Sequence, residues 1–201
     1  MLQGGGYSSP PLMPPPPVSR RLGALLGLLV VVGCDDPLAL PPPQFANALD
    51  TAVLHALRGT ALTLPSGYDV VAGAPARTDR AEPFDFAFDI ADDGRALVYP
   101  AAAIGVNSDA GVAETALDFE AIEAAPSEGF QRDTAVAVAP GTVLIVRSRS
   151  TNQACALLGS LPRYGKLRVL ALDGVARTVT FEVLVNANCG YRALQPGLPE
   201  N

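Results

Sequence analysis

The chain has 201 residues, 49% of them apolar, with 19 Gly, 19 Pro, 3 Cys, one His and no Trp. That length supports one domain, or at most two small ones. Twenty acidic against 14 basic side chains give a net charge of −6 with the basic residues scattered, which leaves no electrostatic footprint for nucleic acid. One His and three Cys are too few for a zinc site of four Cys/His ligands within one chain. No metal or cofactor is expected.

Residues 1–18 are rich in Gly, Ser and Pro, with four consecutive prolines at 14–17, a composition that cannot bury enough apolar area to offset chain entropy. Arg20 and Arg21 follow, then an apolar run over 22–32 interrupted only by Gly23 and Gly27. A membrane-spanning helix needs about 20 apolar residues. This run has 11, so it reads as the core of a signal peptide behind a short basic region. It ends in Val31-Val32-Gly33-Cys34, which resembles the bacterial lipobox, where an aliphatic and a small residue precede a cysteine that is acylated before cleavage. The expectation is a signal peptide over 1–33, with Met13 the start nearer to the arginines, and Cys34 as the lipid-bearing first residue of the mature chain.

Removing 1–33 takes away Arg20 and Arg21 and no acid, leaving 12 basic and 20 acidic groups, a net −8 over 168 residues. Such an acidic body suits a domain held off an anionic membrane surface. After Cys34, Pro37 and the prolines at 41–43 favour extended polyproline geometry, so 34–44 reads as an anchor with a semi-rigid tether. With Cys34 lipidated, Cys155 and Cys189 remain as an even pair in a compartment where disulfides persist, and they are expected to be bonded.

The folded body begins at Phe45. Phe45, Leu49, Ala52, Val53, Ala56 and Leu57 recur at helical spacing, and Gly59 follows as a stop; the spacing predicts a short amphipathic helix over 45–57. The sole histidine, His55, lies off that stripe in the helix's last turn, where a partial positive charge suits the dipole. From Leu62 onward the pattern alternates. Phe84, Phe86, Phe88 and Ile90 point one way and Asp85, Ala87, Asp89 and Ala91 the other, as on a half-buried strand. Asp93-Gly94 predicts a two-residue hairpin turn, which would set Ile90 opposite Leu97 and Phe88 opposite Tyr99. Asp85, Asp89, Asp92 and Asp93 suggest a calcium loop, but Ala91 stands where a ligand is wanted and Pro100 replaces the closing acid. A solvated strand face and turn is the expected role of these acids.

Residues 100–114 are small, with Gly105, Asn107 and Gly111 marking a loop. Leu117, Phe119 and Ala121 alternate with Asp118 and Glu120 as a strand would, while Phe119 and Ile122 would also fit one helical turn; the segment is read as a strand, and Pro126 ends it either way. The last third holds three apolar, β-branched runs at 142–149, 166–172 and 178–185, the second and third separated by a turn at Asp173-Gly174, which predicts an up-down-up meander. The first and third strands of a meander finish at the same edge, and Cys155 and Cys189 follow those two strands. A bond there closes a loop of roughly 35 residues, worth about 3 to 4 kcal/mol by chain entropy.

The succession FDFAFDI (84–90), LDFEAIEAAPSEGF (117–130), TVLIVRSRS (142–150), RYGKLRVLALDG (163–174) and TVTFEVLV (178–185) resembles the HmuY-type haem-binding lipoproteins, most sharply at Tyr164-Gly165-Lys166-Leu167. The resemblance implies an all-β body on a lipid anchor at the cell envelope. Phe84 stands where that family carries Trp, and the Cys155/Cys189 pair is a departure from it. Family members hold haem through His or Met side chains, which supply the axial nitrogen or sulfur. Here both Met residues precede Cys34 and His55 lies outside the resembling segment, so no ligand position carries over. Tyr68, Tyr99, Tyr164 and Tyr191 remain as oxygen donors, and their spacing selects none.

The sequence therefore predicts an all-β fold of antiparallel sheets and a meander over 45–201, entered through one short helix. Its expected role is a non-enzymatic envelope lipoprotein, held to the membrane through Cys34, that binds an envelope protein or a small ligand. An exported binder of haem or another hydrophobic ligand is the alternative. A Ser/His/Asp or Cys/His enzyme would have to use His55, and the G-x-S-x-G elbow is absent. Carboxylate-only hydrolysis would draw on Asp85, Asp89, Glu120 and Glu123.

Overall fold

The computed structural model describes residues 40–80, 83–150, 155 and 160–199. The expected signal peptide, Cys34 and the first part of the tether lie outside the described residues. Ten strands form the body: β1 (Ala48–His55), β2 (Gly67–Asp69), β3 (Ala74–Ala76), β4 (Phe86–Ile90), β5 (Ala96–Pro100), β6 (Gly111–Thr115), β7 (Val136–Val138), β8 (Val143–Arg147), β9 (Tyr164–Asp173) and β10 (Thr178–Asn186). They make two five-stranded antiparallel sheets, ordered β1-β10-β9-β8-β6 and β3-β2-β4-β5-β7.

The apolar residues facing inward from the two sheets form one continuous core, with Leu54, Phe88, Leu144 and Leu167 fully buried. Phe86 sits at its centre, stacked on Tyr68 with ring centroids 5.4 Å apart and edge-on to Phe181 at 6.2 Å. These are favoured aromatic geometries. The all-β antiparallel class read from the sequence is the observed one. The meander is also present: β9 pairs with β8 on one side and β10 on the other. Cys155 and Cys189, 34 residues apart, are joined by a disulfide with their Cα atoms 5.7 Å apart. In β9, a Cβ at Gly165 would lie 2.9 Å from the Leu184 carbonyl oxygen, so the Tyr164-Gly165-Lys166-Leu167 motif needs glycine for β9 and β10 to approach.

The expected helix over 45–57 is corrected: these residues form β1, paired with β10 from Ala48↔Val185 to His55↔Thr178. Phe45, Leu49 and Val53 repeat every four residues, a spacing that a strand places on one face as readily as a helix does. Burial distinguishes the two, because Ala52, Leu54 and Ala56 are at most 5% exposed while Leu49 and Val53 are 51% and 43% exposed. The buried set has period two. Pairing with the β-branched run of β10 overrides the local helical pattern.

The β4–β5 hairpin is corrected by one residue, since Ile90 pairs with Ala96 and Phe88 with Val98. Ala91 N–H donates to Arg95 O at 2.9 Å, leaving a three-residue turn in which Gly94 has φ 83°, a conformation glycine adopts without steric cost. A one-residue change exchanges the faces of the whole partner strand. Val98 thus enters the core, and Leu97 lies opposite Asp89. Phe84 leaves the expected stripe and packs with Ala76, Ala87 and Ala101 in a separate small cluster. The expected loop over 100–114 contains a 3-10 turn at Ala101–Ile104 and the start of β6, and the expected strand around Phe119 is a 3-10 turn, Phe119–Ala121. Phe119, Ile122 and Ala125 cover the outer face of the first sheet with Leu194. Each is three residues from the next, a spacing that a turn satisfies and a strand does not.

Candidate functional site

Asp85 and Asp89 are 2% and 3% exposed, so the expected solvated face on β4 is corrected: both acids are interior pins. Asp85 Oδ1 accepts Arg149 N–H at 2.8 Å and Arg149 Nη1 at 3.1 Å, and its Oδ2 accepts Val70 N–H at 2.7 Å. Asp69, at the end of β2, accepts Arg149 Nη1 at 3.0 Å and Nη2 at 3.2 Å, and also Val71 N–H at 2.8 Å. Arg149 follows β8, so this group ties the first sheet to the second. Burial pushes the Asp85 carboxyl above its ordinary range, while the Arg149 and Val70 amides and the Arg149 charge pull it back. Arg149 loses hydration on burial, yet its bonds to Asp69 and charge contact with Asp85 hold the guanidinium firmly protonated.

Asp89 does the same work at the other end of β4. Its Oδ2 accepts Arg58 Nε at 2.6 Å, its Oδ1 accepts Arg58 N–H at 3.2 Å, and Arg177 lies 3.6 Å away. Arg177, in the β9–β10 turn, has φ 53° and donates to Ile90 O at 2.7 Å and Arg58 O at 2.8 Å. An open cleft of about 630 Å³ lies beside it, lined by Asp92, Gly94, Leu172 and Gly174 among others. Its one arginine is already engaged by two carbonyls.

Glu120 and Glu123 are exposed on the segment covering the outer face of the first sheet. Glu120 pairs with Arg168 at 3.0 Å. Asp85 immediately precedes β4 of the second sheet and Asp89 lies within it, so the four candidate acids do not converge. Beneath Phe119 lies Lys166, part of the Tyr164-Gly165-Lys166-Leu167 motif but assigned no role from the sequence, which is 1% exposed. Its Nζ donates to Phe119 O at 2.7 Å and Ile122 O at 3.0 Å, and sits 4.6 Å from the Phe119 ring centre. Burial lowers its affinity for the proton, against the attraction of Glu120 and Glu182. In the sequence Lys166 alternates like an ordinary outward residue, with nothing to mark it as covered.

His55 closes β1, half-buried, with its N–H bonded to Pro65 O at 2.9 Å. Tyr68 is buried against Phe86, and burial, with the charges of Asp50 and Asp69, drives its hydroxyl pKa upward. Tyr191 Oη donates to Pro41 O at 2.7 Å. Tyr164 belongs to the outer cluster with Phe119, and Tyr99 is half-buried on β5. Among the described residues, no group of three or more His, Cys, Asp or Glu could hold a metal ion.

The N-terminal arm is strapped beside the disulfide. Asn188 Oδ1 accepts Gln44 N–H at 2.8 Å and Phe45 N–H at 3.0 Å, and its Nδ2 donates to Phe45 O at 2.8 Å. The C-terminal tail joins the same knot, with Asn47 N–H donating to Gly197 O at 2.7 Å. The end of the expected tether is therefore part of the folded body. Beyond this knot, among the described residues, no strand pairs with the outer edge of β1. Leu49, Thr51 and Val53 share an exposed face on an edge strand, with exposed Phe45 preceding them. Among the described residues no helix is long and apolar enough to cross a membrane. Compared with family models, curated proteins and solved structures, the chain has no match in any of the three.

Proposed function

We propose that this chain is a lipid-anchored protein of the bacterial cell envelope whose β-sandwich works by binding and not by catalysis. The anchor rests on the order of Arg20-Arg21, the apolar run over 22–32 and Val31-Val32-Gly33-Cys34. The observation that carries the binding reading is the flank of β1, where Leu49 and Val53 stand 51% and 43% exposed on an edge strand. The acids available for hydrolysis are either locked to arginines, as Asp85 and Asp89 are, or distant from them on the other sheet, as Glu120 and Glu123 are. An exposed apolar strand edge is a feature that partners use, through backbone hydrogen bonds and shallow side-chain contacts.

Growth of producing cells with a labelled fatty acid tests the anchor. The wild-type chain should take up label and fractionate with membranes, and Cys34→Ser should take up none. An unlabelled wild-type chain would overturn the anchor.

A further inference from the structure

We propose that two copies of this chain pair edge to edge through β1, antiparallel about Thr51, so that their first sheets join into one continuous sheet. This deepens the binding reading by naming the partner, and it rests on β1 being the binding edge.

Three of the four edge strands are blunted. β3 has three residues, one of them Pro75, and β7 also has three. β6 is covered where Val112 and Gln131 exchange hydrogen bonds of 2.9 and 2.8 Å. Short strands, prolines and covered edges are the usual defences against strand addition. β1 is eight residues long and contains no proline or lysine.

Hydrogen bonds show which amides of β1 face outward. Ala56 N–H donates to Arg177 O at 2.8 Å, continuing the register with β10, while the amides of Asn47 and His55 turn the other way to Gly197 O and Pro65 O. Alternation along an antiparallel strand then directs the amides of Leu49, Thr51 and Val53 away from β10. Among the described residues Thr51 N–H is met only by its neighbour's carboxylate, Asp50 Oδ1, at 2.7 Å. The bonded positions Asn47 and His55 thus bracket three that no other described residue meets, and Thr51 is their midpoint.

A second copy fits this window in one register. With Thr51 opposite Thr51, Leu49 of each copy faces Val53 of the other, and Asp50 faces Ala52. Aliphatic and Thr–Thr cross-strand pairs are favourable. Centring the pair on Asp50 sets two carboxylates face to face, and centring it on Ala52 requires the amide of His55, which Pro65 already holds. The arrangement is two-fold and self-complementary, as a closed dimer demands. Asp50 is its guard, because its carboxylate must release Thr51 N–H when the partner's carbonyl takes its place.

Cysteine cross-linking of the full chain in cells tests the register. Residues directly opposite in a hydrogen-bonded antiparallel pair have Cα atoms about 5.5 Å apart, within the span of a disulfide. Thr51→Cys should give a covalent dimer on a non-reducing gel. Val53→Cys alone should not, whereas Leu49→Cys and Val53→Cys copies produced together should. Thr51→Pro removes an amide that the folded chain does not use in its sheet, and should abolish the wild-type dimer in sedimentation while leaving the melting temperature within a few degrees. Equal cross-linking at every position, or a monomeric wild type, would overturn the pairing. A Thr51→Cys adduct of another mass would overturn the second copy as partner but keep β1 as the binding edge, and no adduct of any kind would remove both.

Discussion

Where β8 finishes, one end of the sandwich is closed by Arg149 held between Asp69 and Asp85, by the Cys155–Cys189 bond and by Asn188 strapping the arm at Gln44 and Phe45. Along the middle of β1, by contrast, Leu49 and Val53 face solvent and Thr51 N–H has only the Asp50 carboxylate. Both regions are built from strands with alternating patterns. They differ in what reaches the strands: at the closed end side chains from distant segments bond to Asp85 and to the arm, and along the outer edge of β1 at its middle no described residue outside the strand does. Stability should therefore be concentrated at the closed end and the capacity to bind along β1.

The largest expected effect is at the disulfide. Replacing Cys155 and Cys189 by Ala should cost about 3 to 4 kcal/mol in urea titration, and thiol labelling of the unfolded but unreduced chain should modify neither residue. Quantitative labelling of both would show that the closed end holds without the bond.

Next is Asp85. Asp85→Ala leaves Val70 N–H without its acceptor and Arg149 with Asp69 alone, and should cost about 3 kcal/mol. The pH dependence has a definite sign. Because burial holds the Asp85 carboxyl above its ordinary range, the folded chain keeps a proton across that window that the unfolded chain has released. Stability due to Asp85 falls as pH rises through it, and Asp85→Asn should remove that slope. Asp109 should act in the opposite sense: burial raises it, but the Ser150 hydroxyl and amide and the Arg147 charge outweigh this and bring it below its ordinary range. Its contribution is present above the ordinary carboxylate range and is lost as pH falls through its own lower one. Midpoints of unfolding measured across the acid range for Asp85→Asn and Asp109→Asn check the contrast.

The smallest effect is expected on β1. Val53→Lys puts a charge on an exposed edge position and should change the stability of the monomer by no more than about 0.5 kcal/mol, read as the urea midpoint at a dilution where both proteins are monomeric. A loss comparable to that of Asp85→Ala would mean that the edge is structural, and the contrast between the two regions would fail.

The strands of the meander and the core side of β4 were legible because alternation and β-branched runs are local properties of the chain. The disulfide was legible because Cys155 and Cys189 follow two strands of the meander that finish at one edge. Asp85 and Asp89 were misread as solvated because their partners lie far along the chain: Arg149 is 64 residues from Asp85, and Arg58 is 31 from Asp89. Lys166 was missed for the same reason, its acceptors on Phe119 and Ile122 being 47 and 44 residues away.

By itself the sequence determined the all-β class, the strands of the last third and the shared edge that Cys155 and Cys189 follow, since period-two hydrophobicity and the order of strands along the chain do not depend on what packs above a strand. Tertiary structure alone decided that 48–55 is a strand, that the β4–β5 turn has three residues, and which charges are buried. A four-residue apolar repeat fits a helix and a strand equally, so only the hydrogen bonds offered by β10 choose between them. A charged side chain is solvated or buried according to whether a distant arginine or carbonyl reaches it, and that is a property of the folded chain.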